Sequence, residues 1–401
     1  MSTTEVGTGV PSPFPTPLQT ATAAQNTNLQ NTTPQTGMAA KTIQPLQAAA
    51  PVQNAQPVNP PAQPNNTPAS PFVNASTYNY LTGPGLMDDI AFFNTYKNRK
   101  TGFENMDKIQ PLFPGLYGIG APPSIGKTTL SWQLAIQQAC MGAYVFYFTL
   151  EQTKFELTAK ALVHRFYTEH RADASQNNGQ SSLPLYTSTD IRYGNADITK
   201  VQNMAAVLAR DTQDHLFVFD GGFSHTIDEI CFLVESFIRQ TGRTPLVIID
   251  YLQIVAPVNS QTTLDTKSQI DQIVKKLKQL QLKYAMTILV ISSLNRQNYS
   301  MPIELESFKE SGSIEYTLDV VWGLQLSLLS DPDFSDIYDK NGKKLGKRSE
   351  TEKRIMLSQA KLATPRSLEL KYIKNRFGAA GQSVLFDYYP AYETFLPHQV
   401  W

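Results

Sequence analysis

The sequence predicts an α/β domain built on a mainly parallel, twisted sheet and preceded by a long uncharged tail. Three observations carry that reading. From residue 116 onward, short apolar strands alternate with longer helical patterns. A Gly-Lys-Thr turn lies between one of those strands and the helix that follows it. Charge is also missing from one end of the chain. Residues 1–87 hold one acid (Glu5), one base (Lys41) and 14 of the 26 prolines, whereas the remaining 314 residues hold 66 of the 68 charged side chains. The whole-chain averages therefore describe no part of the protein, and the charged part is a domain of about 300 residues, enough to bury a full core.

Residues 1–76 are rich in Pro, Gln, Asn, Thr and Ala, without helix or strand period. With so little to bury, ordering entropy wins, and the segment is expected to be a disordered tether or a docking arm for partner proteins. Residues 77–100 read as a linker. Within it, 86–98 (LMDDIAFFNTYKN) has Leu86, Ile90, Phe93 and Tyr96 spaced to share one side of a short helix. The remainder, 101–401, forms the domain. Strands are expected at 116–120, 144–149, 215–220, 245–250, 287–292 and 319–326, with helices at 128–141, 154–168, 226–240 and 266–284. Apolar, β-branched strands alternating with helices imply a parallel sheet covered on both faces. Segments 367–374 and 382–388 flank Gly378 and Gly381 and read as a C-terminal β-hairpin. Residues 327–366 read as a long connection.

Several classes fall away at once. No apolar run approaches the ~20 residues that cross a bilayer. The N-terminus lacks the basic start and apolar stretch of a secretory signal and the Arg-rich character of a transit peptide. A cytoplasmic, reducing compartment without a membrane partner is the expectation. Cys140 and Cys231 sit in apolar contexts without C-x-x-C spacing and read as buried free thiols, and the five histidines form no ligand pattern. A formal net charge of zero decides nothing about nucleic acid, because clustering of basic residues matters more than their sum.

The strongest local signal is Ala121-Pro-Pro123-Ser124-Ile125-Gly126-Lys127-Thr128-Thr129, which follows a strand and opens a helix. Backbone N–H groups of such a turn and helix start cradle phosphate oxygens, Lys127 can reach the β and γ phosphates, and the Thr128 hydroxyl can bind Mg²⁺. Residues 123–129 are the expected nucleotide-binding segment. Val247-Ile-Ile-Asp250 is an apolar strand ending in Asp, the form of a metal partner. Tyr251, not an acid, follows Asp250. The residue expected to activate water is Glu151, at the end of the strand after the phosphate-loop helix.

These residues resemble the ATPase domain of DnaB-type replicative helicases, the RecA-like hexameric class. Thr101-Gly-Phe103 with Asp107 resembles the domain's entry motif, and APPSIGKTTL resembles its phosphate loop. Phe148-Thr-Leu-Glu151 and Val247-Ile-Ile-Asp250-Tyr-Leu-Gln253 resemble its catalytic-Glu and Walker B strings. Ser292-Ser293-Leu294-Asn295-Arg296 resembles the sensor, and Lys309-Glu310-Ser311-Gly312-Ser313-Ile314-Glu315 the loop that holds single-stranded DNA. Lys374-Asn375-Arg376 before Gly378 resembles the finger that reaches a neighbour's ATP.

The resemblance implies a RecA-like core, ATP and Mg²⁺ as cofactors, a homo-hexamer and single-stranded DNA as partner. It assigns Lys127 and Thr128 to the triphosphate and metal, Glu151 to the attacking water, and Asp250 to the metal's water shell. Ser293 becomes the sensor, Lys309 to Gly312 the DNA contact, and Lys374 and Arg376 groups acting in trans. It also implies a bacterial, plasmid or phage setting, with replication proteins as possible partners of the tail.

The sequence departs from the family at three places. Ser293 stands where the family has Gln, too short to span the same gap without a water. The uncharged tail stands where the family has a globular collar, leaving 86–98 either to dock on the adjacent subunit or to pack on its own domain. Residues 327–366 are longer than the family's connection. Between residues 340 and 376, twelve Lys/Arg face three acids, a pattern that favours non-specific phosphate contact. No helix-turn-helix or zinc module points to sequence-specific duplex reading. A hexameric helicase or translocase is the leading expectation. An ATP-dependent DNA-binding scaffold that does not unwind, and a RecA-like regulatory ATPase or kinase without nucleic acid, are the alternatives.

Overall fold

The computed structural model describes residues 75–220, 226–255, 266–295, 300–308, 316–338 and 343–398. All of them belong to one compact unit, Ala55–Trp401. The expected tail lies almost wholly outside the described residues, and so do Arg296 and the whole of Lys309, Glu310, Ser311 and Gly312.

Six strands run parallel: β1 Gly115–Gly120, β2 Val145–Thr149, β3 Leu216–Phe219, β4 Leu246–Asp250, β5 Thr287–Ser292 and β6 Val320–Leu326. Their order across the sheet is β3-β2-β4-β5-β1-β6. Strands β7 Asp336–Tyr338 and β8 Lys344–Lys347 form a separate antiparallel ribbon. Strands β9 Arg366–Asn375, β10 Ser383–Tyr389 and β11 Thr394–Pro397 then extend the sheet antiparallel from β6. Both expected features are present, the mainly parallel sheet and the hairpin β9–β10. Strand β11, the β7–β8 ribbon and the helix Glu350–Leu362 were not expected, and the last two replace much of the connection read over 327–366.

The longer helices are α1 Gly85–Thr95, α2 Lys127–Cys140, α3 Lys154–Gln176, α4 Ile198–Thr212, α5 Ile227–Thr241, α6 Thr266–Tyr284 and α7 Glu350–Leu362. Capping boxes start three of them: Thr153 with Glu156, Thr226 with Glu229, and Ser349 with Glu352. Alternate residues of the central strands serve two cores. Tyr117, Tyr147 and Ile248 pack with Trp132 of α2 and Leu157 of α3 on one face. Phe146, Phe148, Val247 and Ile249 pack with Ile230 of α5 and Val274 of α6 on the other. Burial on both faces is why these strands read as continuous apolar runs.

The expected burial of the two cysteines fails. Cys140, at the last position of α2, is exposed, and Cys231 is half-buried on α5; both are free. Helix α1 buries no residue on its own domain, leaving Met87, Ile90 and Phe93 exposed, and only Tyr96 beyond its end is buried. Among the described residues, no helix is long and apolar enough to cross a membrane.

A buried carboxylate ties the sheet to its C-terminal strands. Asp319 precedes β6 with a side chain 6% exposed and meets Lys278 at 2.6 Å and Arg376 at 2.9 Å. It also accepts the Leu116 N–H at 2.8 Å, while its own N–H donates to the Leu116 carbonyl. Asp319→Ala strands a buried N–H and the mostly buried Lys278 ammonium. Urea unfolding of this variant is expected to show a loss of about 2–4 kcal/mol with an unchanged m-value.

Candidate active site

Parallel strands point their carboxyl ends the same way, and ligands of open α/β sheets bind there. Four expected site segments arrive at that edge. The phosphate loop follows β1, Glu151 follows β2, Asp250 ends β4, and Ser293 follows β5. Strand β2 pairs with β4 so that Thr149 lies opposite Asp250, which sets Glu151 beside the end of β4. Together these segments line a cleft of about 530 Å³ whose walls include Ser124, Lys127, Thr128, Glu151, Asp250 and Ser293.

The loop reaches its shape through backbone conformations that favour small residues. Ser124 has φ 60° and Gly126 φ 106°, both left-handed. A Cβ on Gly126 would lie 2.9 Å from the Phe395 ring, so close packing of β11 also requires glycine there. Helix α2 starts at Lys127 without a side-chain cap, which leaves its first N–H groups aimed into the cleft. Pro123 and Thr129 also line the cleft, but Ile125 does not: its side chain is buried in the core and only its backbone can serve a ligand.

The charged groups here are held in costly surroundings. Burial lowers the affinity of Lys127 for its proton, partly offset by Asp250 and Glu151, and its ammonium donates to the Ala121 carbonyl at 3.1 Å. Burial pushes Asp250 up to about 6, with hydrogen bonds from Thr128 and Tyr147 pulling it partway back. A buried acid that resists ionisation, beside a lysine that resists protonation, fits a site completed by a divalent cation and an anionic ligand. The donor set of Thr128 hydroxyl and Asp250 carboxylate suits Mg²⁺, a hard cation that takes oxygen ligands.

The two remaining catalytic expectations lie elsewhere. Strand β9 runs against β6, pairing Lys374 with Val321 and Asn375 with Val320. Lys374 and Arg376 therefore sit beside the amino end of β6, at the opposite end of the sheet from their own phosphate loop. Arg376 is half exposed and ion-paired to Asp319.

A family model for the DnaB-like helicase C-terminal domain matches residues 99–395. The chain belongs to that family. Among curated proteins it is similar to the replicative DNA helicase DnaB of two strains of Helicobacter pylori, at 27% and 26% identity over 296 residues, 70% of this chain. It spans about half the length of those relatives, 56%. A solved ATPase domain superposes with TM-score 0.59 and 18% identity over 82% of this chain and 100% of its own. A DnaB-like replicative helicase, solved in a study of its interactions with primase, superposes with TM-score 0.58 and 18% identity over 81% of this chain and 67% of its own. These superpositions establish the RecA-like fold.

Within this DnaB-like cleft, several residues carry structure that sequence reasoning missed. The Tyr147 hydroxyl donates to Asp250 Oδ2 at 3.2 Å and lies 2.9 Å from Ser131 Oγ, so a buried aromatic holds the Asp250 carboxylate in place. Gln253 donates to Ser292 Oγ at 3.0 Å and accepts the Ser293 N–H at 3.3 Å, clamping Ser293 to the segment after β4. Arg366 donates to the Ser124 carbonyl at 2.8 Å and lies over the Tyr388 ring, which itself lines the cleft. Lys160 and Glu393 form an ion pair beside Thr129. Only Gln253 belonged to a recognisable string; the other contacts join residues far apart in the chain.

Among the described residues of the basic stretch 340–376, several bases are paired with acids. Lys344 pairs with Asp336, Lys353 with Glu350, Lys371 with Glu304 and Arg376 with Asp319, while Arg366 is spent on the phosphate loop.

A pH dependence follows from Asp250. Its folded value of about 6 exceeds its ordinary 3.8, so the folded state holds this proton more tightly and ionisation costs stability as pH rises through that window. Nucleotide-free Asp250→Asn is expected to be on the order of 2 kcal/mol more stable than the native sequence at pH 7.5. In denaturant titrations that advantage should fade as pH falls toward 4.

Proposed function

We propose that the protein is an ATP-driven hexameric DNA helicase of the replicative DnaB type, moving on single-stranded DNA. The observation that carries this reading is the meeting of Lys127, Thr128, Glu151, Asp250 and Ser293 in one cleft at the carboxyl edge of a RecA-like sheet. Lys127 and the start of α2 bind the β and γ phosphates. Thr128 and Asp250 would hold Mg²⁺, which when bound would neutralise phosphate charge. Glu151, exposed at the cleft wall, orients and polarises the attacking water.

Lys374 and Arg376 point the reading toward an oligomer. From the far end of the sheet they would act on the cleft of the next subunit, where neutralising developing charge is worth ~10³–10⁵ in rate. Helix α1 supports the same assembly, because its exposed Ile90 and Phe93 suit a groove on a neighbour. We assign residues 101–401 to the motor, 77–100 to the linker, and 1–76 to a tether or docking arm for replication proteins in a bacterial, plasmid or phage cytoplasm.

A route from cleft to DNA supports coupling. Leu294, next to Ser293, forms a β-bridge with Phe308, and Asn295 N–H donates to the Ser307 carbonyl at 2.8 Å. Gly120 has no Cβ, and one would lie 2.5 Å from Phe308, so this segment packs directly against β1. The proposed DNA contact, Lys309 to Gly312, begins at the next residue. A change at Ser293 can therefore reach the DNA loop through backbone pairing without the long side chain that the family places there.

The test is displacement of a strand from a forked duplex. The native chain with ATP and Mg²⁺ is expected to unwind it, and Lys127→Ala to abolish unwinding. Glu151→Gln should bind nucleotide yet hydrolyse it about 10²–10⁴-fold more slowly. Assembly on single strands without unwinding would favour a DNA-binding scaffold. ATPase activity indifferent to single-stranded DNA would favour a regulatory ATPase.

A further inference from the structure

The cleft holds a carboxylate that phosphate chemistry does not explain. Glu393 lies in the turn between β10 and β11 and forms part of the wall beside Thr129. Its side chain is 12% exposed, and that of its partner Lys160 is 16% exposed. Oε2 accepts from Thr129 Oγ1 at 2.7 Å and from Lys160 Nζ at 3.0 Å. Oε1 has a single weak contact among the described residues, Ser188 Oγ at 3.4 Å. A carboxylate offers about four acceptor positions, so Oε1 keeps capacity for a donor from the cleft.

The backbone carries a second sign. Glu393 has φ 47° and ψ 42°, a left-handed conformation costly for a residue other than glycine, and such strain persists where the surroundings enforce it. The enforcement is visible on the following strand. Gln133 of α2 both donates to and accepts from the Phe395 backbone at 2.9 Å, and Thr394 Oγ1 lies 2.9 Å from His164 Nδ1 on α3. The turn is thus stitched to the phosphate-loop helix and to the helix after it, which fixes the carboxylate beside Thr129.

We propose that Glu393 is a specificity-determining residue that accepts hydrogen bonds from the ribose hydroxyls of the bound nucleotide, so that the site prefers ribonucleotides to their deoxy forms. This rests on the reading of the cleft as an ATP site.

Two groups of interacting side chains line the cleft. Lys127, Thr128, Glu151 and Asp250 interact with one another and form the group read as taking the β and γ phosphates. Thr129, Lys160, Tyr388 and Glu393 form the other. A carboxylate repels phosphate, so its partner must be a hydrogen-bond donor. A nucleotide has donors on the sugar and, at its far end, on the base amino group. Thr129 follows Thr128 in a phosphate loop, whose backbone N–H groups cradle the α and β phosphates. The sugar is the group bonded to the α phosphate. Lys160, by pairing with Oε2, offsets repulsion between the carboxylate and that α phosphate.

The test is competition binding to the full chain, with ATP, 2′-deoxy-ATP and 3′-deoxy-ATP displacing a fluorescent ADP. The native protein is expected to prefer ATP over at least one deoxy analogue by about tenfold or more, because a site built to bond a hydroxyl rejects the analogue lacking it. Glu393→Gly suits the left-handed turn and removes the carboxylate. It is expected to bring that preference to within about twofold by weakening ATP rather than tightening the analogue. Thermal unfolding of the variant confirms that it is folded. Equal binding of all three nucleotides by the native chain overturns the inference, as does a folded Glu393→Gly that keeps the preference. A native chain that binds no nucleotide overturns the ATP-site reading and this inference with it.

Discussion

The polarity of the sheet is the constraint on which the rest depends. Of the other parallel strands, β5, β4, β2 and β3 lie on one side of β1 and β6 on the other, and the expected site residues lie at or just after the carboxyl ends of β1, β2, β4 and β5. Side chains separated by more than 160 residues, from Ser124 to Ser293, thereby share one cleft. The antiparallel return of β9 has the opposite effect and carries Lys374 and Arg376 to the other end. One chain thus presents the cleft at one edge of the sheet and Lys374 and Arg376 at the opposite edge. Asp319 locks the second edge in register by gripping Leu116, Lys278 and Arg376 at once.

The cleft itself is a strained electrostatic arrangement. Burial works against the charge of both Lys127 and Asp250. Neither is stabilised by a close ion pair with the other; Lys127 instead donates to the carbonyls of its own loop. An anionic ligand would relieve the penalty on Lys127, and a divalent cation that on Asp250. Tyr147 and Gln253 keep Asp250 and Ser293 in place meanwhile.

Much of this was legible in the sequence because both faces of the central strands are buried, giving uninterrupted apolar runs such as VFYFT and LVIID. The positions of the phosphate loop, Glu151 and Asp250 were legible because each follows or ends an apolar strand. Helix α7 was missed although Ser349 and Glu352 form a capping box, because its apolar residues are few and only Leu357 is buried. Helix α4 was missed for a similar reason, with Met204 and Thr212 alone buried. Strand β11 is four residues long and owes its place to Gln133 rather than to its own pattern. Lys160, Glu393 and Arg366 had no local signal, since their roles arise from contacts between distant segments.

The central claim is that a working site needs two chains, one giving Lys127 and its neighbours and the other giving Arg376. Subunit mixing tests this directly. Lys127→Ala and Arg376→Ala are each expected to be inactive alone as ATPases. In a mixture, an Arg376→Ala subunit beside a Lys127→Ala subunit has an intact phosphate loop facing an intact arginine. The account predicts that mixing two inactive proteins restores ATP hydrolysis, rising and falling with their ratio. A mixture as inactive as its components, under conditions where native subunits co-assemble with each variant, would contradict it.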